Sequence, residues 1–144
     1  CLWLLLIISV TDLRLHAIPD VFSGALFLAG MVLTLMIGGS PWPAAVVGAL
    51  FFGILWAVSR GRWIGSGDIF LAAAIGAFLG EWRLMVAALF LTYMTGALIA
   101  SFLLITRRIQ RQSYVAFGPF LALGTLLTVV FAPRIMTFFV VYMP

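Results

Sequence analysis

The residues of this chain that can do acid–base chemistry are few, because it has only four acidic side chains. Asp68 lies in GSGDIFLAAAIGAFLG, residues 65–80, which carries no other charged residue. Asp12 follows the apolar run CLWLLLIISV and Thr11. A carboxylate in a bilayer helix costs roughly 2.5–3.5 kcal/mol at the helix centre and less towards the interface. Asp12 and Asp68 are therefore the candidate functional residues.

Two such carboxylates can act together if the fold brings them into contact. At about 4 Å and an effective dielectric of about 20, two negative charges repel by about 4 kcal/mol, so one group keeps a proton while the other is ionised. The ionised group can take a proton from water, and the protonated group can give one to a leaving amide. This is aspartic protease chemistry. A carboxylate at a helix N-terminus can also be a simple cap, and Asp68, directly after Gly67, fits that alternative.

The composition places these aspartates in a membrane protein. The 144 residues are 65% hydrophobic and 8% charged, whereas a soluble domain carries about 25% charged residues. Breaker residues and charges divide the chain into six predicted helices at about 1–16, 21–37, 44–59, 67–79, 83–106 and from 117 to at least 132. The segment after Pro133 either extends the last helix or lies along the interface. We predict an all-α, polytopic membrane protein of about six transmembrane helices, with residues 1–144 forming one domain.

The arginines predict how these helices are oriented. With the first helix running from outside to inside, six arginines fall on the inner side and two on the outer side, as positive cytoplasmic loops require. Asp12 and Asp68 then both lie at inner helix ends, on the cytoplasmic side. The inner arginines are Arg14, Arg60, Arg62, Arg107, Arg108 and Arg111, and the outer ones are Arg83 and Arg134.

The fourth helix is predicted to be central in the bundle. Asp68, Ala72, Gly76 and Gly80 recur every four residues and so share one broad helix face. Small residues at this spacing let another helix backbone approach closely. We therefore expect Asp68 to point into the bundle rather than into lipid.

Three segments together resemble the type IV prepilin peptidases, a family of polytopic aspartic proteases. GSGD at 65–68 resembles the family's G-x-G-D signature. DLRLHAIPD at 12–20 resembles its first catalytic segment, an Asp followed by six residues and Pro-Asp or Pro-Asn, and FGPFLALG at 117–124 resembles a third block. The resemblance implies that Asp12 and Asp68 are the catalytic pair. It assigns a site-shaping role to Gly65, Gly67, Pro19, Gly118 and Pro119.

These smaller residues have expected structural roles. Glycines 65 and 67 are expected to form a flexible approach to Asp68, since glycine permits conformations that other residues avoid and leaves room for a substrate backbone. Gly118 and Pro119 are expected to begin or kink the sixth helix beside the site.

The resemblance also implies a function. It predicts an endopeptidase that cuts the basic leader from type IV prepilins or pilin-like pseudopilins at the cytoplasmic face of a bacterial inner (plasma) membrane. The expected partners are those precursors and the lipid bilayer, with no nucleic acid. No cofactor and no metal are expected, since His16 is the sole histidine.

Some family members are bifunctional. They carry a region with paired cysteines ahead of the part that resembles this chain, and they also methylate the new N-terminus. This sequence lacks such a region and an initiator Met. We therefore expect either a sequence whose N-terminal part is missing or a short family member that acts only as a peptidase.

Two other functions remain open from the sequence. In a small proton- or ion-coupled transporter, Asp12 and Asp68 would bind the ion, although the related halves frequent in transporters are not evident here. In a non-catalytic assembly subunit the site would have decayed, and the intact pair of aspartates argues against that.

Overall fold

The part of the chain that the structure describes forms six α-helices. The computed structural model describes residues 1–15, 20–62, 64–105 and 117–142. No described residue lies in a strand, so the predicted all-α class is confirmed. The helices are α1 (Leu2–Leu15), α2 (Asp20–Met36), α3 (Pro41–Ser59), α4 (Ser66–Leu79), α5 (Trp82–Ile105) and α6 (Gly118–Tyr142).

The helix lengths agree with a membrane protein. Within the described ranges, three helices are long and apolar enough to cross a bilayer: α3, the Trp82–Phe102 part of α5, and α6. The apolar helices α2 and α4 are shorter. At about 1.5 Å per residue, α4 rises about 21 Å, less than the roughly 30 Å of a hydrocarbon core. Three of the six predicted spans therefore meet the length of a full crossing.

Prolines lie within two of the helices and do not end them. The predicted start of α3 at residue 44 was wrong, because the helix begins at Pro41 with Ser40 as its N-cap. The first backbone N–H groups of a helix have no acceptor in the helix, so a proline there loses nothing. In α6 the helix continues through Pro133 to Tyr142. The segment after Pro133 therefore extends the last helix.

Helix α4 is central, as predicted. It packs against α2, α3, α5 and α6. A helix so surrounded must be apolar on every side, and the sequence of α4 is apolar after its first turn. Its residues without exposed surface are Leu71, Ala72, Ala74, Ile75 and Ala77.

Glycines bring α3 and α4 into backbone contact. A Cβ atom on Gly48 of α3 would lie 2.6 Å from the carbonyl oxygen of Ala72. A Cβ atom on Gly76 of α4 would collide with the carbonyl group of Ala44. Side chains at either position would push the helices apart, so the predicted close approach at Gly76 is confirmed.

The other long side of α4 packs against α2. The Thr34 hydroxyl donates a hydrogen bond of 2.8 Å to the carbonyl oxygen of Ala77. A Cβ atom on Gly30 would lie 2.7 Å from the backbone nitrogen of Phe78. Gly80 ends α4 with a left-handed φ of 68° and lies against the Thr34 side chain. The predicted small-residue face is thus divided, with Gly76 against α3 and Gly80 against α2.

Helix α6 connects the remaining helices to this centre. It packs along α5 and also contacts α1 and α4. Within the described residues, α1 packs against α6 and α2 rather than against α4. Helix α6 therefore contacts both the helix that carries Asp12 and the helix that carries Asp68. Several residues named from the sequence fall outside the described ranges: His16, Pro19, Arg107, Arg108 and Arg111.

Candidate active site

Asp12 is a buried carboxylate that the start of another helix holds in place. It lies in the last turns of α1 and is only 6% exposed. Its Oδ2 atom accepts a hydrogen bond of 2.8 Å from the backbone N–H of Gly118, the first residue of α6. The first N–H groups of a helix have no acceptor within it and carry the positive end of its dipole. This contact therefore satisfies both a free donor and a buried acceptor.

Residue 118 has to be a glycine for this contact to form. A Cβ atom there would lie 2.7 Å from Oδ2 of Asp12 and 3.2 Å from its Cγ. The backbone of α6 can approach the carboxylate closely because Gly118 has no side chain. Pro119 follows as the second helical residue, where its missing N–H costs no hydrogen bond. Both residues begin α6 beside Asp12, in agreement with the expectation.

Asp68 is held by the chain just before its own helix. It lies in the first turn of α4 and is 9% exposed. Its Oδ2 atom accepts a hydrogen bond of 3.2 Å from the backbone N–H of Gly65, the N-cap residue. The capping alternative is therefore real. A cap of this kind uses one carboxylate oxygen and fixes the direction of the group, so capping and chemistry are compatible.

The two carboxylates lie in one region of the protein. Asp12 is fixed at the start of α6, and α6 packs against α4, whose first turn carries Asp68. The fold thus brings together two residues that are 56 positions apart in the sequence. Their catalytic role stays a prediction.

Glycines 65 and 67 do not use the conformational freedom that was expected of them. Gly65 has a φ of −73° and a ψ of 153°, which other residues also adopt. Gly67 lies in the first turn of α4, and its φ is not among the positive values found at Gly38, Gly61 and Gly80. Room for a substrate backbone remains the predicted reason for glycine here. Pro19 lies outside the described residues.

An aromatic cluster beside the carboxylates was not predicted. The ring of Phe117, directly before Gly118, lies 5.6 Å from the ring of Phe52 on α3. It lies at the same distance, 5.6 Å, from the ring of Tyr93 on α5. Phe117 opens the block FGPFLALG, but Tyr93 gives no signal beyond being a polar aromatic residue in an apolar helix.

The described residues contain no group of three or more histidine, cysteine, aspartate or glutamate side chains placed to hold a metal ion. The candidate site in the described residues is a pair of buried carboxylates, each of which accepts a hydrogen bond from a backbone N–H. The aromatic cluster of Phe52, Phe117 and Tyr93 lies beside the start of α6. Such a pair of carboxylates can exchange protons with a water molecule and an amide.

Comparison with known proteins gives consistent matches. The family model described as type IV leader peptidase family matches residues 1–101. The chain is 30% identical over 144 residues to the prepilin leader peptidase/N-methyltransferase of Bacillus subtilis (strain 168), covering 95% of this chain and 56% of that protein. It is 33% identical over 132 residues to the protein of the same name from Escherichia coli (strain K12), covering 85% and 57%.

A third relative of that name, from Burkholderia pseudomallei (strain K96243), is 33% identical over 135 residues, which is 88% of this chain and 43% of the relative. The chain thus spans about half the length of the curated relatives it matches. No solved structure matches it.

Proposed function

This chain belongs to the type IV leader peptidase family, and from that premise we propose that it is a membrane-embedded aspartic endopeptidase. Its proposed reaction is the removal of the basic leader peptide from type IV prepilins or pilin-like pseudopilins. The proposed catalytic pair is Asp12 and Asp68. The proposal concerns leader cleavage alone.

One observation carries the proposal. Two aspartates on different helices are buried in the same region, where α6 contacts both of their helices. Burying two carboxylates in an apolar bundle is costly, and neither is used to neutralise a basic residue in the hydrogen bonds described. A shared proton between them lowers that cost and leaves one acid and one base side by side.

The reaction can be written with these two groups alone. The ionised carboxylate takes a proton from a water molecule while the water oxygen bonds to the carbonyl carbon of the scissile peptide. The protonated carboxyl group gives its proton to the peptide, the C–N bond breaks, and the leaving nitrogen becomes an amine. One water molecule is consumed, and the pair again shares one proton.

The proposed location of this chemistry is the cytoplasmic side of the membrane. Arg60 and Arg62 follow the end of α3, and Arg14 lies in the last turn of α1. These helix ends are the ones next to Asp12 and Asp68, and basic residues favour the cytoplasmic side. A substrate whose basic leader stays in the cytoplasm would then present its cleavage point at the depth of the two carboxylates.

The function can be tested by direct hydrolysis. The purified chain in detergent is incubated with a synthetic prepilin-type precursor, in water enriched in ¹⁸O, and the products are analysed by mass spectrometry. We expect one cut between the basic leader and the apolar segment, with one ¹⁸O atom in the new carboxyl group. EDTA should leave the rate unchanged, because no step passes through a metal. An intact precursor after long incubation would contradict the proposal.

The transporter alternative receives no support from the comparisons. The matched family and the matched relatives are described as peptidases. A transporter would leave the precursor intact in the detergent assay and, after reconstitution into vesicles, would move ions across the membrane, so the two measurements separate the two functions.

A further inference from the structure

Tyr93 lies beside the candidate active site with a hydroxyl group that has no hydrogen-bond partner among the described residues. Its ring lies 5.6 Å from Phe51 and 5.6 Å from Phe117, so it connects the surface between α3 and α5 to the residue before Gly118. The side chain is 39% exposed. The ring of Tyr93 is therefore held by its neighbours, and no described residue takes up its hydroxyl group.

The register of the helices places Tyr93 close to the depth of Asp68. Gly48 of α3 lies opposite Ala72 of α4, and Gly76 lies opposite Ala44. The two helices are therefore antiparallel. One turn beyond Gly48 in α3 is residue 52, and the residue of α4 that faces it is residue 68.

The rings at this level lead directly to Tyr93. Phe52 contacts Phe117, and Phe117 contacts Tyr93. The Tyr93 ring therefore lies next to Phe117, the residue before Gly118, whose N–H donates to Asp12.

We propose that the Tyr93 hydroxyl is a further catalytic group of this site, which donates a hydrogen bond to the carbonyl oxygen of the scissile peptide. This inference rests on the proposed peptidase function. A neutral phenol is a suitable donor, because it keeps its proton at neutral pH and adds no charge to an apolar bundle.

The chemistry explains why such a donor is useful. When water adds to the peptide carbonyl, negative charge develops on the carbonyl oxygen. The ionised carboxylate of the pair would repel that charge, whereas an oriented donor in an apolar site stabilises it strongly. The hydrogen bond strengthens as the charge develops, so it lowers the barrier more than it tightens binding.

The test compares Tyr93→Phe with Tyr142→Phe. Both changes remove one hydroxyl and keep the ring, and Tyr142 is an exposed residue at the far end of α6. For Tyr93→Phe we expect a fall in kcat of roughly 100-fold, with little change in KM, as for the loss of one such donor. Its melting temperature should stay near that of the parent, because the ring contacts with Phe51 and Phe117 remain. Tyr142→Phe should match the parent in all three quantities.

Three results would overturn the inference. One is a Tyr93→Phe variant with a kcat within about twofold of the parent, a difference below 0.5 kcal/mol by the usual conversion. The second is a change confined to KM, which would make Tyr93 a binding group only. The third is a loss of activity that follows a lowered melting temperature, which would make its role structural. All three results are comparisons with cleavage by the parent chain. A parent chain that does not cleave the precursor contradicts the proposed function itself, and this outcome is distinct from the three above.

Discussion

At the scale of single residues, the site depends on backbone donors as much as on acidic side chains. Asp12 and Asp68 each accept one hydrogen bond from a backbone N–H at the start of a helix. Hydrogen bonds to a charged group are stronger than neutral ones, and they fix the direction of the carboxylate. The position of α6 relative to α1 therefore decides where the Asp12 carboxylate points.

The contact between Gly118 and Asp12 leads to a testable substitution. Gly118→Ala adds a Cβ atom that would lie 2.7 Å from Oδ2 of Asp12, so the carboxylate or the start of α6 has to move. A displacement of about 1 Å at a catalytic group can cost roughly 100-fold in rate. We expect a loss of cleavage of that order, measured as kcat/KM on the precursor peptide.

The matched control for this change is Gly53→Ala. A Cβ atom on Gly53, in α3, has no heavy atom within 4 Å, and alanine favours a helix over glycine. The control should cleave like the parent and melt at the same temperature or slightly higher. Equal activity of Gly118→Ala and the parent would show that Gly118 does not position Asp12.

The sequence predicted the acids of this site but not their partners. Asp12 and Asp68 stand out because an unpaired carboxylate in an apolar segment is costly. A backbone N–H has no sequence signal of its own, and Gly118 was expected to begin or kink the sixth helix beside the site, not to donate a hydrogen bond to Asp12. Tyr93 was missed for a similar reason, because a single tyrosine in an apolar helix is common at helix ends and in cores alike.

At the scale of helices, α4 fits its neighbours through missing side chains. The backbones of α3 and α4 meet at Gly48 and Gly76. Helix association in a membrane relies on such close packing, because lipid is as apolar as leucine. The packing of α4 in turn sets the position of Asp68 at its first turn.

The close contact predicts the effect of Gly76→Leu. The new side chain would collide with the carbonyl group of Ala44, and overpacking costs typically about 1–3 kcal/mol. We expect a lower melting temperature in detergent together with reduced cleavage. Gly53→Leu, at a position with free space, should have neither effect. A Gly76→Leu variant that melts like the parent would mean that α3 and α4 are not packed at this point.

Helix existence was predictable from the sequence, and helix ends were less so. The six apolar segments and the central place of α4 follow from composition and from the small residues at 72, 76 and 80. The predicted start of α3 was wrong because proline was taken as a helix breaker. In the first turn of a helix proline is well tolerated, and α3 begins at Pro41. The course of α6 past Pro133 depends on packing against α5, which no local pattern reveals.

At the scale of the whole molecule, the distribution of charge predicts the orientation in the membrane. The chain has eight basic and four acidic residues, and among the described ones Arg14, Arg60 and Arg62 lie at or just after the ends of α1 and α3. Positive residues are retained in the cytoplasm. The proposed site would thus open to the compartment in which precursor proteins are made.

The orientation can be measured by cysteine labelling. Cys1 is the single cysteine, so Cys1→Ser gives a background without thiols. In that background we introduce Arg62→Cys after α3 and, as the matched reporter on the other side, Ser40→Cys before α3. Both positions are exposed.

A thiol reagent that cannot cross the membrane should label Ser40→Cys in intact cells and Arg62→Cys only in inverted vesicles. Since α3 separates the two positions, the reverse pattern would place Asp12 and Asp68 on the outer side. Labelling of both positions from the same side would contradict α3 as a membrane span.

The central claim is that Asp12 and Asp68 catalyse together, and the most direct measurement replaces each with asparagine. Asp12→Asn and Asp68→Asn keep the size of the side chain and its capacity to accept the N–H of Gly118 or Gly65, but they remove the proton exchange. Cleavage of the precursor should fall roughly 1,000-fold or more in each, and the double variant should be no worse, because the effects of residues that act as a unit are not additive.

The matched control is Asp20→Asn, the same change at an exposed acid at the start of α2, and it should cleave like the parent. Substantial cleavage by either Asp12→Asn or Asp68→Asn, read by mass spectrometry of the products, would contradict the account.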